Sequence, residues 1–485
     1  MKKQILCLLL ASAAAMSACA GSSDNSVSTT TSDESSDTST AETEPELSDN
    51  LGSFDFGGDE FNIYTRAVVF GNYNLDTDSE TGELINDSVY KRNRLLESRF
   101  NFVMKEDYYD YIVDGSDAPR KLLLAGDTTY DMYVGRCVHM FNYASEGMLY
   151  KISDLPYIDT SRPYWDDQLY NDLSVCGEHY FAVGAFNLTS YDYTHVMLFN
   201  KGLIETLMLE SPYELVRSGK WTYDKFNELA SAALYDLNGD SVMDAEDRYG
   251  YSSHAKQVLP DFWISAGAVT ISKDDDGKLF FSAPTDTKFI EVYQKIFEIT
   301  RGNNVWYPAA MAVDFEEELH PFRNNQSLFA DSSAHQITTI RDSEVDFGII
   351  PYPKWDENQK KYCSRIEGCE LFGIPLTSAD TEMASVILEA MACESLKSVV
   401  PAYYDTALKV KYTRDNESAD MLDIIFSNRI FDYGDTILCT ELRDGIFWQA
   451  YFDNKNDVVS LLASKTGSID SALKKYNAAF EKLAE

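Results

Sequence analysis

The chain has 485 residues, with 41 Lys or Arg against 79 Asp or Glu and a net charge of −38 at pH 7. This charge repels phosphate backbones and anionic lipid headgroups, so neither nucleic acid nor a bare membrane surface is an expected partner. Past about residue 50 the chain is too long for one simple core, which predicts two domains or lobes.

The first 18 residues have the pattern of an export signal. Two lysines precede the apolar run Ile5–Met16, which is too short to remain as a membrane span. Ser17 and Ala18 then precede Cys19, an arrangement that resembles the bacterial lipobox, although Met16 stands where the motif more often has Leu. The resemblance implies cleavage after Ala18 and a lipid on Cys19. The alternative is an ordinary secretory cleavage beside an incidental cysteine.

Residues 19–50 are predicted to form a disordered linker that begins at the lipidated Cys19. From Ala20 to Asn50 the chain is rich in Ser, Thr, Asp and Glu and contains no Lys or Arg. Such a segment buries too little apolar surface to offset the entropy of ordering it. Its eight carboxylates repel one another and extend the tether. Anchoring through the lipid alone is therefore the expected form of membrane attachment.

Alternating strand and helix patterns follow the linker. Apolar runs at 61–64, 102–103 and 130–134 predict strands, and apolar residues at helical spacing over 85–100 and 120–125 predict helices between them. Strands that alternate with helices are typical of an open parallel α/β sheet, in which ligands bind past the carboxyl ends of the strands. Arg66 and Arg136 follow two of these ends and are candidates for forked hydrogen bonds to a ligand.

Several later segments, taken in their order along the chain, resemble bacterial extracellular solute-binding proteins of family 1, the sugar-type receptors of ABC transporters. They comprise a strand ending in Asn-Lys, a helix start, a buried strand with a proline turn, a returning strand with its helix, and a C-terminal helical part. These segments are Met197–Ile204, Gly219–Phe226, Val345–Pro353, Gly368–Pro375, Met383–Met391, Val400–Asp405 and Arg429–Gly434.

The resemblance implies an α/β, two-lobed periplasmic-binding-protein-like fold with discontinuous lobes and hinge crossings. The first lobe is predicted at 51–187 plus 370–399, and the second at 188–369 plus 400–485. The implied function is a monomeric, membrane-anchored, extracytoplasmic protein that passes a carbohydrate, in particular an oligosaccharide, to the permease subunits of an ABC importer. The content of 31 Tyr and 6 Trp agrees with this, because flat rings cover the C–H faces of sugars.

Position within the resemblance also implies ligand-binding residues beyond Arg66 and Arg136. Tyr191 is expected in the hinge loop, Trp263 is expected to stack on a sugar face, and Asp331 is expected to accept hydroxyl protons. The remaining candidates on the second lobe are Gln257, Ser332 and Trp448.

The segment Asp236–Asp247 has the ligand spacing of a calcium loop. Oxygen-bearing side chains occupy loop positions one, three, five, nine and twelve, and a backbone carbonyl is available at position seven. The loop resembles the EF-hand or dockerin kind, with Ser241 in place of Gly and Asp247 in place of Glu. The expected ligands of a structural Ca²⁺ are Asp236, Asn238, Asp240, Val242 and Asp247. The alternative is a solvated acidic turn.

The six cysteines beyond Cys19 form no CxxC pair. They are Cys137, Cys176, Cys363, Cys369, Cys393 and Cys439. Outside the cell their even number permits disulfides, but their spacing gives no framework, and free buried thiols are the alternative.

No nucleotide-binding, zinc-protease or serine-hydrolase motif occurs, so a non-enzymatic protein is predicted. Two other functions stay open. A glycan-acting lipoprotein enzyme needs only two suitably placed carboxylates, and a surface glycan-binding adhesin would have the same tether and acidity. Turnover of a glycan would favour the enzyme, whereas saturable binding without turnover would favour the receptor.

Overall fold

The computed structural model describes residues 47–67, 74–110, 113–115, 117–307, 319–340, 343–404 and 416–485. The chain divides into two units, Met1–Asn50 and Leu51–Glu485. The predicted signal peptide, Cys19 and nearly all of the predicted linker lie outside the described residues. Within the described ranges, no helix has both the length and the apolar character that a bilayer span requires.

The described strands are β1 (Asp59–Ala67), β2 (Phe102–Asp110), β3 (Met132–Arg136), β4 (His195–Asn200), β5 (Tyr249–Ser252), β6 (Ile271–Lys273), β7 (Leu279–Phe281), β8 (Ser327–Ser333), β9 (Phe347–Ile350), β10 (Ser364–Arg365), β11 (Glu370–Gly373) and β12 (Arg429–Ile430).

The described α-helices are α1 (Leu84–Phe100), α2 (Ala118–Ala125), α3 (Cys137–Ser145), α4 (Asp167–Asp172), α5 (Thr189–Asp192), α6 (Lys201–Thr206), α7 (Pro212–Arg217), α8 (Tyr223–Ala232), α9 (Ala255–Ser265), α10 (Thr287–Phe297), α11 (His320–Arg323), α12 (Ile337–Ile340), α13 (Thr381–Glu394), α14 (Val400–Tyr403), α15 (Asn416–Phe426), α16 (Gln449–Phe452) and α17 (Val458–Ala484). The π-helical turns are Glu298–Gly302, Ser395–Val399 and Thr440–Trp448.

The first sheet has the strand order β11-β3-β1-β2. β1 runs parallel to β2 and β3, which confirms the parallel sheet that the alternating pattern predicts. β11, which comes from far along the chain, pairs antiparallel with β3. α1 packs against this sheet, and its buried residues Ile85, Val89, Leu96 and Phe100 follow the predicted helical spacing.

The second sheet has the strand order β5-β8-β4-β9. β4 is antiparallel to both β8 and β9, and β5 is parallel to β8. Every residue of β4 and β8 is buried, although β8 contains the polar residues Ser327, Asp331, Ser332 and Ser333. β4 ends at Asn200, whose side chain accepts a hydrogen bond from the Leu203 N–H at 2.9 Å and so starts α6 at Lys201.

Two adjacent segments connect the sheets. The outgoing segment contains α5 and leads to β4, and the returning segment leads from β10 to β11. Hydrogen bonds join the two segments. Asn187 Nδ2 donates to the Glu370 carbonyl at 2.6 Å, and the Glu367 N–H donates to the Tyr193 carbonyl at 3.0 Å. An isolated bridge between Thr194 and Ile366 completes the pairing. These crossing segments bring residues more than 170 positions apart into contact.

Candidate functional site

Two arginines mark the carboxyl ends of the first sheet. Arg66 lies near the end of β1 and forms an ion pair with Glu370, its Nε lying 3.1 Å from Glu370 Oε1. Burial raises the pKa of the Glu370 carboxyl, although the charge of Arg66 opposes this rise. Arg136 ends β3 half-buried, and no hydrogen bond or ion pair of its side chain is seen among the described residues. Arg136 therefore keeps its donors for water or a ligand.

A small cavity lies between the first sheet and the outgoing crossing segment. Its lining includes Thr65, Asn187, Thr189 and Glu370, and its volume is about 20 Å³. That volume holds about one water molecule. The cavity is therefore too small for a sugar ring.

The segment that follows β5 lies beside a partly exposed aromatic ring, that of Trp448, whose centroid is 5.7 Å from the ring centroid of His254. His254 caps α9, and the Lys256 N–H donates to His254 Nδ1 at 3.2 Å. Lys256 Nζ lies 5.7 Å from the ring centroid of Trp448 and 3.1 Å from Asp444 Oδ1. The residue Trp448 is 37% exposed, so part of its ring is open to solvent beside a cation. An aromatic surface with adjacent donors suits a polyhydroxylated ligand.

A buried charged network lies beneath this surface, with His195 at its centre. His195 is the first residue of β4, and its Nδ1 lies 3.1 Å from Asp331 Oδ1 and 3.2 Å from Asp261 Oδ1. Its Nε2 lies 3.3 Å from Glu367 Oε2 in the returning crossing segment. His195 thus connects the second sheet, α9 and the hinge.

Arg365 is the second cation of the network and is fully buried. Its guanidinium binds Asp435 through two hydrogen bonds, Nε to Oδ2 at 2.7 Å and Nη2 to Oδ1 at 2.9 Å. Its Nη1 donates to Gln257 Oε1 at 2.6 Å and to Asp261 Oδ1 at 3.0 Å. Such a forked arrangement fixes the orientation of Arg365 relative to α9.

Glu367 is the member of the network that reaches solvent, with 24% of its side chain exposed. It accepts hydrogen bonds from Gln257 Nε2 at 3.1 Å and Arg443 Nη1 at 3.0 Å, in addition to its contact with His195. Glu367 therefore connects the returning crossing segment to Gln257 of α9, the residue that follows Lys256.

The charges set the protonation of the network. Burial alone would lower the pKa of His195, but the carboxylates of Asp261 and Asp331 raise it well above its usual range. Burial and the charge of Asp331 raise the pKa of Asp261 to about 8. Burial would raise the pKa of Glu367, yet Arg365 holds it well below its usual range. At neutral pH the charge of Asp331, whose own pKa is lowered, favours an imidazolium at His195, whereas burial favours the protonated form of Asp261.

The predicted ligand residues fall into different environments. Gln257 and Asp331 belong to the charged network, and Trp448 lies on the surface above it. Arg66 and Arg136 lie at the first sheet, as the strand-end rule predicts. The sequence prediction did not include His195, Asp261, Arg365, Glu367 or Arg443. The sequence signal that could have identified them is the position of Arg365 and Glu367 immediately before the predicted returning strand, Gly368–Pro375.

Of the three other predicted residues, Trp263 and Ser332 are packed in the interior, and Tyr191 is half-buried. Trp263 is 1% exposed, its Nε1 donates to Asp432 at 3.0 Å, and its ring lies against Phe447. Ser332 is buried, and its Oγ donates to the neighbouring Ser333 carbonyl. Tyr191 is half-buried and contacts the rings of Tyr403 and Phe426, with the Arg429 guanidinium 4.7 Å from its own ring centroid. No ring face of Trp263 is open to a sugar in this arrangement.

The acidic loop connects α8 to β5. The Asp236 carboxylate accepts the Gly239 N–H at 2.6 Å and the Ser241 N–H at 2.8 Å, and Ser241 has a φ of 67°, the left-handed region in which Gly is usual. Asp247 is buried and accepts the Leu237 N–H at 2.8 Å. Within residues 236–247, all of which are described, no three carboxylate ligands lie within 4.8 Å of one another.

Comparison with known proteins finds similar proteins by structure. No protein-family model and no curated protein matches the sequence. An ABC substrate-binding protein from Listeria monocytogenes in complex with cycloalternan is 12% identical with a TM-score of 0.56, over 86% of this chain and 99% of that chain. A cyclo/maltodextrin-binding protein complexed with maltotetraose is 14% identical with a TM-score of 0.55, over 90% of this chain and 99% of that chain.

UspC from M. tuberculosis is also similar, at 14% identity and a TM-score of 0.57, over 86% of this chain and 100% of that chain. The fold is therefore that of the two-lobed periplasmic binding proteins, as predicted. At these identities the likeness establishes the fold alone.

Proposed function

We propose that this protein is the substrate-binding protein of an ABC importer and captures an extracellular carbohydrate, in particular an oligosaccharide. The observation that carries the proposal is the fold, which nearly the whole folded region shares with proteins whose structures contain cycloalternan or maltotetraose. Binding between two lobes, with closure as the signal to a permease, is the mechanism that such a fold permits.

The surface around Trp448 supports a sugar ligand. Its partly exposed ring offers an apolar face, the Lys256 ammonium beside it offers a donor, and Glu367, whose side chain is 24% exposed, is an acceptor of the charged network. The buried network holds Glu367 in place through Arg443 and His195, so its carboxylate is oriented before a ligand arrives. Preorganised polar groups reduce the entropy lost on binding.

The same network bears on one residue of the enzyme alternative. A glycosidase requires a protonated carboxyl that reaches the glycosidic oxygen. Asp261 has a pKa of about 8, but it is 1% exposed, and its carboxyl lies between His195 and Arg365. An acid in this position does not reach a substrate, so Asp261 is not the acid that the enzyme alternative requires.

Substitution of the exposed ring tests the site. Trp448→Ala should weaken the binding of any glycan that the protein binds, by on the order of 2 kcal/mol, because a partly buried aromatic anchor is lost. Phe280→Ala is the matched control, since Phe280 is a 44% exposed aromatic on the β6–β7 hairpin. Calorimetry should find the control unchanged. Equal affinities for the Trp448 variant and the wild-type protein would remove Trp448 from the site.

The anchoring and partners follow from the same proposal. The mature protein begins at a lipidated Cys19, is monomeric, and delivers its ligand to permease subunits outside the cytoplasm. Small residues before Cys19 support the lipid assignment.

The acidic loop 236–247 binds a structural Ca²⁺ through the side chains of Asp236, Asn238, Asp240 and Asp247 and the carbonyl of Val242. Its supporting observations are the ligand spacing and the left-handed Ser241 at the position of the usual Gly.

A further inference from the structure

Three buried cysteines lie around the returning crossing segment. Cys369 immediately precedes β11, Cys137 begins α3, and Cys439 precedes the π-helical turn Thr440–Trp448. The three thiols are close enough to interact electrostatically. Cys439 contributes to the raised pKa of Cys137, and Cys137 contributes to the raised pKa of Cys369. All three are present as free thiols in the structure.

The strand register places Cys137 and Cys369 beside the last residue pair of a ladder. In the antiparallel ladder of β3 and β11, Gly135 lies opposite Leu371, and Arg136 lies opposite Glu370. The ladder ends at this pair, because Cys137 begins α3 and Cys369 precedes β11. Opposite residues in an antiparallel pair have Cα atoms about 4.5–5.5 Å apart, so each cysteine directly adjoins a pair whose spacing is within the range of about 4.4–6.8 Å that a disulfide spans.

The Cys137 side chain faces the returning segment. The neighbouring Gly368 supports this placement, because a Cβ added there would lie 3.1 Å from Cys137 Sγ. The backbone of the returning segment therefore passes directly against the Cys137 thiol.

We propose that Cys137 and Cys369 form a disulfide in the exported protein, at the point where the returning segment joins the first sheet. The oxidant is a disulfide of a thiol–disulfide exchange partner, such as a small-molecule disulfide. One protein thiolate attacks that disulfide and releases one thiol, and the second protein thiolate then attacks the mixed disulfide and releases the other thiol. The two cysteines lose two protons and two electrons, and the external disulfide is reduced to two thiols.

Burial determines when this exchange occurs. It raises the pKa of Cys137 to about 12 and that of Cys369 well above its usual range. Only the thiolate is reactive, so the folded dithiol exchanges slowly, and the bond forms before the crossing segment is buried. Once formed and buried, the disulfide is shielded from reductants.

The disulfide would fasten one end of the hinge. β11 is an edge strand of four residues, held to the first sheet by its ladder with β3. A covalent bond at its start keeps the returning segment on the first sheet. Bending of the hinge is then confined to residues between β10 and Cys369. This consequence does not depend on which ligand the protein binds.

Differential alkylation of the full chain, secreted into an oxidising compartment, tests the proposal. The protein is denatured without reductant, alkylated, reduced, alkylated with a second reagent of different mass and digested. The proposal predicts that Cys137 and Cys369 carry only the second label. It also predicts a peptide linked through these two residues when the reduction step is omitted. Cys176, Cys363, Cys393 and Cys439 should carry the first label.

Two serine variants test which cysteines are linked. In Cys137→Ser, Cys369 should take the first label, whereas Cys439→Ser should leave the link intact. First label on both Cys137 and Cys369 of the wild-type chain would overturn the proposal, and so would a link from either of them to Cys439. Glycan binding is measured separately, so failure of this proposal is distinguishable from failure of the proposed function.

Discussion

Arg365 is a buried cation on which the charged network depends. Its bidentate pair with Asp435 and its contact with Asp261 lie wholly inside the protein. Burying charges costs several kcal/mol per ion, so this arrangement is stable only while its hydrogen bonds are complete. Its two carboxyl partners differ in geometry and environment: Asp435 forms the bidentate pair, whereas burial and the charge of Asp331 raise the pKa of Asp261 to about 8.

This difference predicts unequal effects of two similar substitutions. Asp435→Asn should reduce the free energy of unfolding at neutral pH by about 3–5 kcal/mol, because it leaves the charge of Arg365 without its bidentate partner. Asp261→Asn should cost much less, since Asn resembles the protonated carboxyl already present. Denaturant unfolding of the two variants measures both values, and equal losses would contradict the assigned protonation.

The pH dependence of Asp261→Asn has a defined sign. An unfolded Asp loses its proton near pH 3.9, whereas the folded Asp261 keeps its proton to about 8. The wild-type protein therefore loses stability from this group as the pH rises from about 4 to about 8, by at most about 1.4 kcal/mol per pH unit. The Asn variant lacks this loss. The free energy of unfolding of the variant, relative to that of the wild-type protein, should therefore increase as the pH rises across this range. A difference that stays constant with pH would refute the prediction.

At this scale the sequence predicts positions better than orientations. Spacing identified Arg66 and Arg136 at strand ends because those ends follow from local patterns. Trp263 shows the limit: α9 is buried on all sides, so its sequence does not show that this ring faces the core. Glu367 and Arg443 meet across 76 positions, and no local pattern predicts such a contact.

Among the elements, those with strong local signals follow the sequence. β1, β2 and β3 lie where short apolar runs predict them, and Asn200 starts α6 as its capping chemistry predicts. β10 and β12 have two residues each and pair only because distant segments meet. Their tertiary contacts decide their conformation, which is why a sequence pattern does not predict them.

The acidic loop between α8 and β5 gives a prediction at the scale of one element. If it binds Ca²⁺, chelator should lower the melting temperature, because an ion bound only to the folded state stabilises that state. Asp240→Ala should remove this sensitivity. Asp274→Ala, in the acidic turn of the β6–β7 hairpin, is the control and should retain it. Identical melting curves with and without calcium would leave only a solvated acidic turn.

For the whole molecule, the paired crossing segments explain how one chain builds two sheets. β11 returns to the first sheet after the second sheet is complete, so the sheets share a hinge made from residues near 190 and 367. The order of motifs along the chain predicted this discontinuous fold. It did not predict the charged network, because that network forms only where both crossing segments meet α9.

Anchoring is a second property of the whole molecule. Cys19→Ala should release the protein from the membrane fraction, because acylation requires the thiol that follows Ser17 and Ala18. Ser22→Ala, within the predicted linker, is the control and should remain in the membrane fraction. Fractionation with and without detergent measures the effect. A Cys19 variant that still needs detergent for release would contradict the lipid assignment.

The proposed function of the protein is reversible capture of a carbohydrate without chemical conversion. Its most direct test is calorimetric titration of the mature protein with mono-, di- and oligosaccharides, followed by chromatography of the recovered sugar. We predict saturable binding of at least one oligosaccharide to a single site, with the sugar recovered intact. Absence of binding across the whole panel would contradict the carbohydrate assignment, and conversion of the bound sugar would show an enzyme instead of a receptor.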